Sequence, residues 1–194
     1  QVLRSIAIKG AANLEGVAVL EDGHVAVLDE RQRSLTIFRL DADTRELDSA
    51  QAVQRVELGT VGDSNKGFEG LAWDPRNQRL LLANEKNPVR LFSLACDGRR
   101  VSGPLQALGD LDGYVTDIAG LSVDSRSGQL LALSQESHLL LGLDPQLRAQ
   151  SFLALLPGLN GLTQRVPQAE GLALDNAGNL YVVSERNLFF AFQR

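Results

Sequence analysis

At 194 residues and 21.0 kDa, with 44% apolar residues and 18 glycines against 6 prolines, the chain can bury a sizeable core and reads as one domain, residues 1–194, or most of one. A net charge of −5 and a pI near 5.1 give no overall attraction to nucleic acid or anionic lipid, and no apolar run approaches the roughly 20 residues of a membrane-spanning helix. The single cysteine, Cys96, excludes an intrachain disulfide and a cysteine-built zinc cluster.

The opening QVLRSIAIKG has neither the apolar core nor the cleavage pattern of a signal peptide, and it lacks an initiator Met, so processing or truncation at this end stays open. Within it, VLRSIAI reads as a strand. LEGVAV comes next, then the turn EDGH, then VAVLDE, SLTIFRLD and VQRVELG. The same order returns as FEGLAWD, DPRNQR, LLLANE, VRLFSLA and PLQALGD, and again as IAGLSVD, DSRSGQ, LLALSQE, HLLLGLD and SFLALLP. A last round, AEGLALD, DNAGN, LYVVSE and LFFAFQR, stops after three strands. Gly16, Gly70, Gly120 and Gly171 anchor the four rounds at a period of about 50 residues.

The apolar runs are strand-length and alternate or are continuously apolar, with no sustained helical period. Asp-, Asn- and Gly-rich turns separate them, and Asp22, Asp74, Asp124 and Asp175 recur there as turn caps. The expected fold is all-β, a β-propeller with four visible repeats. Two readings of its ends stay open. In one, VLRSIAI completes the last three-stranded blade and closes a four-bladed ring. In the other, the chain is truncated from a five-bladed ring and VLRSIAI is the outer strand of the missing blade.

Residues just before the innermost strands gather at one mouth of a propeller channel. Glu15, Glu69 and Glu170 hold that position, with Asp117 displaced by two in the third round, and these four are the candidate metal ligands. Convergent carboxylates suit a hard cation such as Ca2+, and Asn13, Asn65 and Asn160 could add oxygens. A second acidic series, Glu30, Glu85, Glu136 and Glu185, ends the second strands, and antiparallel pairing brings both series to one edge. Arg31, Lys86 and Arg186 follow three of these glutamates, so structural ion pairing is the first reading of the series. A ligand site of Asn65, Lys66, Glu85, Lys86, Glu136, Glu185 and Arg186 is the functional one. With only His24 and His138, and no serine in a nucleophile-elbow pattern, a Ser-His-Asp hydrolase is unsupported. Trp73 and Tyr181 lie in apolar strand patterns and read as core.

The phrases NKGFEGLAWD, ANEKNP, LLALSQESHLLLGLD and PQAEGLALDNAGNLYVVSERNLFFAF resemble the SdiA-regulated, YjiK-like family of bacterial β-propellers along nearly the whole chain. That resemblance implies an additional upstream repeat, an N-terminal export or membrane-targeting segment, and a periplasmic or envelope location. It supplies no activity. The expected function is a non-enzymatic module binding a small polar ligand or an envelope protein, with no nucleic-acid partner and with membrane association only through a segment absent from this sequence. The alternative is a calcium-dependent hydrolase such as a lactonase or phosphoesterase.

Overall fold

The computed structural model describes residues 3–61 and 67–194. After β1 (Ala7–Lys9), the strands β2 (Leu14–Val19), β3 (His24–Asp29) and β4 (Ser34–Arg39) run as an antiparallel meander, and a short β5 (Glu46–Asp48) precedes β6 (Gln54–Glu57). Strands β2, β3, β4 and β6 make the first blade. The second is β7 (Phe68–Asp74), β8 (Arg79–Asn84), β9 (Arg90–Cys96) and β10 (Val101–Asp110). The third is β11 (Gly120–Val123), β12 (Leu130–Ser134), β13 (Leu139–Leu143) and β14 (Ala149–Ala154), and the fourth is β15 (Ala169–Leu174), β16 (Leu180–Ser184) and β17 (Leu188–Phe192). The antiparallel sheets stand around a common axis as a four-bladed, propeller-like arrangement, with β2, β7, β11 and β15 innermost.

Each blade needs an apolar cover on its faces, and its neighbour supplies it. Leu35, Ile37, Leu80, Leu82 and Leu94 are buried between the first and second blades. Leu91, Ile118, Leu121 and Leu143 fill the space between the second and third, and Leu133, Leu140, Leu155 and Val182 that between the third and fourth. Trp73 packs partly buried against the first of these layers. Cys96 is buried in the same layer, and desolvation pushes its thiol pKa up, as suits an inert core residue.

The anchoring glycines are where inner strands meet. A Cβ on Gly16 would lie 2.7 Å from the carbonyl oxygen of Glu69 and 3.0 Å from Leu71 Cβ, and one on Gly70 would lie 2.7 Å from Leu121 Cγ. The glycines therefore set how closely β2, β7 and β11 approach one another.

The turns at the far ends of these hairpins cap themselves as expected. Asp74 accepts from the backbone and side chain of Asn77, Asp124 from the backbone N–H of Arg126 and the hydroxyl of Ser127, and Asp175 from Asn179 and the Tyr181 hydroxyl. Asp22 differs: it takes a left-handed φ of 49° and pairs with Arg99. Arginines then join the turns of adjacent blades. Arg76 donates to the carbonyls of Ser125 and Arg126, and Arg126 donates to the carbonyl of Ala177 at 3.0 Å.

The N-terminal strand corrects one expectation. Strand β1 pairs in parallel with β5, Ile8 opposite Leu47, and Ile8 and Leu47 pack with Val25, Val27 and Phe38 on the first blade. It does not complete the fourth blade, which has three strands among the described residues. The physical reason is local: the apolar side of β3 and β4 is close in sequence and offers Ile8 its cover.

Candidate metal centre at the channel mouth

Each of the three Glu-Gly steps is a β-bulge. Leu14 pairs with Asp29 and Gly16 with Leu28, which leaves Glu15 as the extra residue of β2. Phe68 pairs with Asn84 and Gly70 with Ala83, leaving Glu69; Ala169 pairs with Ser184 and Gly171 with Val183, leaving Glu170. A bulge bends its strand and re-aims the unpaired side chain. Here all three are aimed at the axis, where Glu15, Glu69 and Glu170 line a space of about 80 Å³ together with Gly16, Gly120 and Leu121. That volume holds a few water-sized groups.

The second acidic series is locked beside the first through the backbone. The N–H of Glu30 donates to the carbonyl of Asn13, that of Glu85 to Gly67, and that of Glu185 to Gln168, in each case two residues before a bulge glutamate. Side chains then cross between blades. Glu30 Oε1 accepts from the backbone N–H of Gly67 at 3.1 Å, and Asn13 Nδ2 donates to Glu15 at 2.7 Å and to Glu30 at 3.0 Å. As a result Glu30, Glu69 and Glu85 each place a carboxylate oxygen within 4.8 Å of the others.

This concentration of acid changes the proton affinity of its members. Glu69 is pushed up to about 9, first by desolvation and then by the charges of Glu85, Glu15 and Glu30. Glu170 is pushed up to about 7 by desolvation, followed by Glu185, Glu15, Asp117 and Glu85. Lys86 serves the rim directly: its Nζ lies 3.3 Å from Glu85 and 2.7 Å from Glu136, joining the second and third blades.

Of the residues read from sequence as metal ligands, Glu15, Glu69 and Glu170 meet at the mouth. Asp117 lies near enough to raise the proton affinity of Glu170, but its carboxylate is engaged by its own loop. Buried, it accepts from the Ser134 hydroxyl and from the backbone N–H groups of Gln135 and Glu136, so both carboxylate oxygens hold the loop after β12. Asn160 donates to the carbonyl of Ala154 in the loop after β14, and Asn65 and Lys66 lie outside the described residues. Glu85, Lys86 and Glu136 form one chain of contacts, while Glu185 and Arg186 are exposed beside Glu170 and a neighbouring pocket. Glu30 was legible only as a partner for Arg31. Its place in the second-strand series was the available signal, and its reach to the next blade was not in the sequence. Tyr181 stacks on Phe189 with ring centroids 5.7 Å apart.

A family model matches residues 1–193, and the family is the one its motifs suggested. The chain belongs to the SdiA-regulated family. This SdiA-regulated protein is similar in structure to the glutaminyl cyclase of Myxococcus xanthus (21% identity, TM-score 0.67, covering 96% of this chain and 67% of that one). It is also similar to regucalcin, a calcium-binding protein from Agrobacterium tumefaciens (13%, 0.59, 88% and 52%), and to PQQ-bound aldose sugar dehydrogenase from Streptomyces coelicolor (18%, 0.56, 95% and 59%). The chain thus spans between about half and two thirds of the length of these structures, and at such identities the likeness is one of fold.

These observations correct the expectation of a non-enzymatic module. Two of the similar structures named above are of enzymes, so this architecture does not speak against catalysis, and the SdiA-regulated chain gathers three glutamate carboxylates within 4.8 Å of one another. The lack of a nucleophile-elbow serine leaves a Ser-His-Asp triad unsupported and says nothing against other catalysis. Among the described residues no helix is long and apolar enough to cross a membrane.

Proposed function

We propose that this protein is a calcium-dependent hydrolase of lactones or phosphate esters, its cation held by Glu30, Glu69 and Glu85. The observation that carries the reading is the convergence of those three carboxylates within 4.8 Å. The donor set fits the ion: it offers hard oxygen atoms only, with no histidine or cysteine in the cluster, which suits Ca2+ or Mg2+ over zinc. Regucalcin, a calcium-binding protein of the same fold, supports calcium. When bound, such a cation would polarise an ester or phosphoryl oxygen.

The chain's own residues supply the rest. Asn13 orients Glu15 and Glu30, and Lys86 holds Glu85 and Glu136 at the rim. Glu170, pushed up to about 7, is matched to moving a proton near neutral pH and is the candidate general base. The space of about 80 Å³ admits the reacting group while the remainder of a substrate lies outside the mouth. Family membership supports an envelope setting.

The decisive experiment measures turnover of a defined panel of lactones and phosphate esters with calcium, after chelation, and with Glu69→Gln. We expect calcium-dependent turnover reduced about a hundredfold or more by the substitution. Turnover indifferent to chelation, or none across the panel with calcium present, rejects the reading.

A further inference from the structure

A second concavity opens between the third and fourth blades on the same edge of the ring. It measures about 610 Å³, and its polar lining is Gln135, His138, Gln164, Arg165, Gln168 and Arg186. We propose that this pocket is an anion subsite, which holds the carboxylate or phosphate of a substrate while the scissile end reaches the glutamate cluster. The subsite stands on the pocket itself, and its link to turnover rests on the hydrolase reading above.

Charge is the first argument. The chain is acidic overall, yet this lining carries two guanidiniums and an imidazole and no carboxylate. Among the described residues, neither Arg165 nor Arg186 has a carboxylate oxygen within 4.0 Å, whereas Arg79, Arg90, Arg126 and Arg148 are each paired. Arg165 Nη1 instead sits 3.4 Å from His138 Nε2. A guanidinium has no acceptor, so this contact requires the imidazole to turn its lone pair toward the arginine. That contact uses one N–H of Arg165; its remaining N–H groups and those of Arg186 have no carboxylate among the described residues, and guanidinium forks suit carboxylate and phosphate geometry. The three glutamine side chains add neutral amide donors.

The second argument is that the walls are fixed. Leu155 donates its N–H to the carbonyl of His138 at 2.8 Å, and Val166 donates to Leu155 at 3.1 Å, with Leu155 and Val166 both buried. Glu185 donates to the carbonyl of Gln168 at 3.0 Å. His138, Gln168 and Arg186 hold φ values of 53°, 36° and 65°, a region non-glycine residues seldom occupy. The backbone that carries the pocket's side chains is therefore held before binding, which lowers that part of the ordering cost.

The third argument is position. Gln168 precedes Glu170 by two residues, and Gln135 adjoins Glu136, which Lys86 ties to Glu85. A negative mouth and a positive flank thus share one edge. An anionic substrate is repelled by the first and oriented by the second, so it enters with its charged end outward.

Calorimetric titration tests the subsite with inorganic phosphate and, separately, succinate, against the full chain in EDTA so that no cation can bind either probe. Saturable binding of at least one is expected. It should weaken about tenfold in a variant carrying Arg165→Ala and Arg186→Asn, asparagine being chosen because it tolerates positive φ. Both positions are exposed, and an unchanged unfolding midpoint confirms the variant is folded. Which probe binds distinguishes a carboxylate from a phosphate site. No saturable binding of either, or equal binding to the variant, overturns the proposal. A dead hydrolysis assay alongside retained anion binding sinks only the hydrolase reading. If turnover is present, the variant should raise KM for an anionic ester and leave its neutral counterpart unchanged.

Discussion

Glu30 Oε1 accepts a hydrogen bond from the backbone N–H of Gly67 at 3.1 Å, so the end of a strand in one blade is fastened to the entry of the inner strand of the next. The contact depends on the glycine. A Cβ on Gly67 would stand 2.5 Å from Glu30 Cγ. Gly67→Ala should displace Glu30 from Glu69 and Glu85 and weaken calcium binding about tenfold while the propeller stays folded. Calorimetry with calcium, paired with a circular dichroism spectrum, checks this; unchanged affinity would show that Glu30 is not a ligand.

The acidic mouth makes stability fall as pH rises. Glu69 and Glu170 bind protons more tightly in the folded chain, at about 9 and about 7, than in the unfolded chain, near the ordinary glutamate value of 4.5. The folded state therefore holds more protons between about pH 4.5 and 9, and their contribution, complete below that window, is lost as pH climbs through it. Thermal unfolding in EDTA should show a declining midpoint from pH 5 to 9, and Glu69→Gln should flatten the upper part. Calcium requires the ionised form, so it should bind more tightly with rising pH and offset the decline. A midpoint in EDTA that rises across this range would contradict the assignment.

Close approach of the inner strands should make the anchoring glycines intolerant. Gly16→Ala and Gly70→Ala introduce a methyl group within 3 Å of backbone or side-chain atoms of the adjoining inner strand, and each should cost about 1–3 kcal/mol. Gly113, with nothing within 4 Å of its Cβ position, is the control, expected within about 0.5 kcal/mol of the parent. Urea midpoints at constant slope decide between them.

The arginine link between turns is a separate, acid-sensitive feature. Asp124 is held down to about 2, chiefly by its hydrogen bond with Arg126, so its contribution is present above its unfolded pKa near 4 and disappears as pH falls through 2. Arg126→Ala also removes the bond to Ala177 and should lower stability at neutral pH. The difference from the parent should shrink in acid, as read from urea unfolding at pH 7 and pH 2.5.

The strands themselves were written in the sequence. Short apolar runs and Asp-led turns recurring at one period are satisfied by repeated hairpins that cover one another, and the runs at LEGVAV, FEGLAWD and AEGLALD became β2, β7 and β15. The recurrence of Glu before Gly also marked Glu15, Glu69 and Glu170 as neighbours at one mouth. Asp117 shows what spacing leaves open: a carboxylate near the expected position also serves the backbone amides of its own loop. Strand β1 shows the same for the chain's end, because a nearby apolar face captured Ile8.

What only the tertiary structure decided is how those residues are aimed. A bulge is a property of register between two strands, so no single strand's sequence states that Glu69 drops out of the ladder between Phe68 and Gly70. The meeting of Glu30 with Glu69 and Glu85 is a property of packing between blades, fixed by glycines that let backbones touch. The period of the sequence determined which elements exist. The distances between their side chains, and with them the shifted proton affinities and the candidate metal centre, come from the closing of blade against blade.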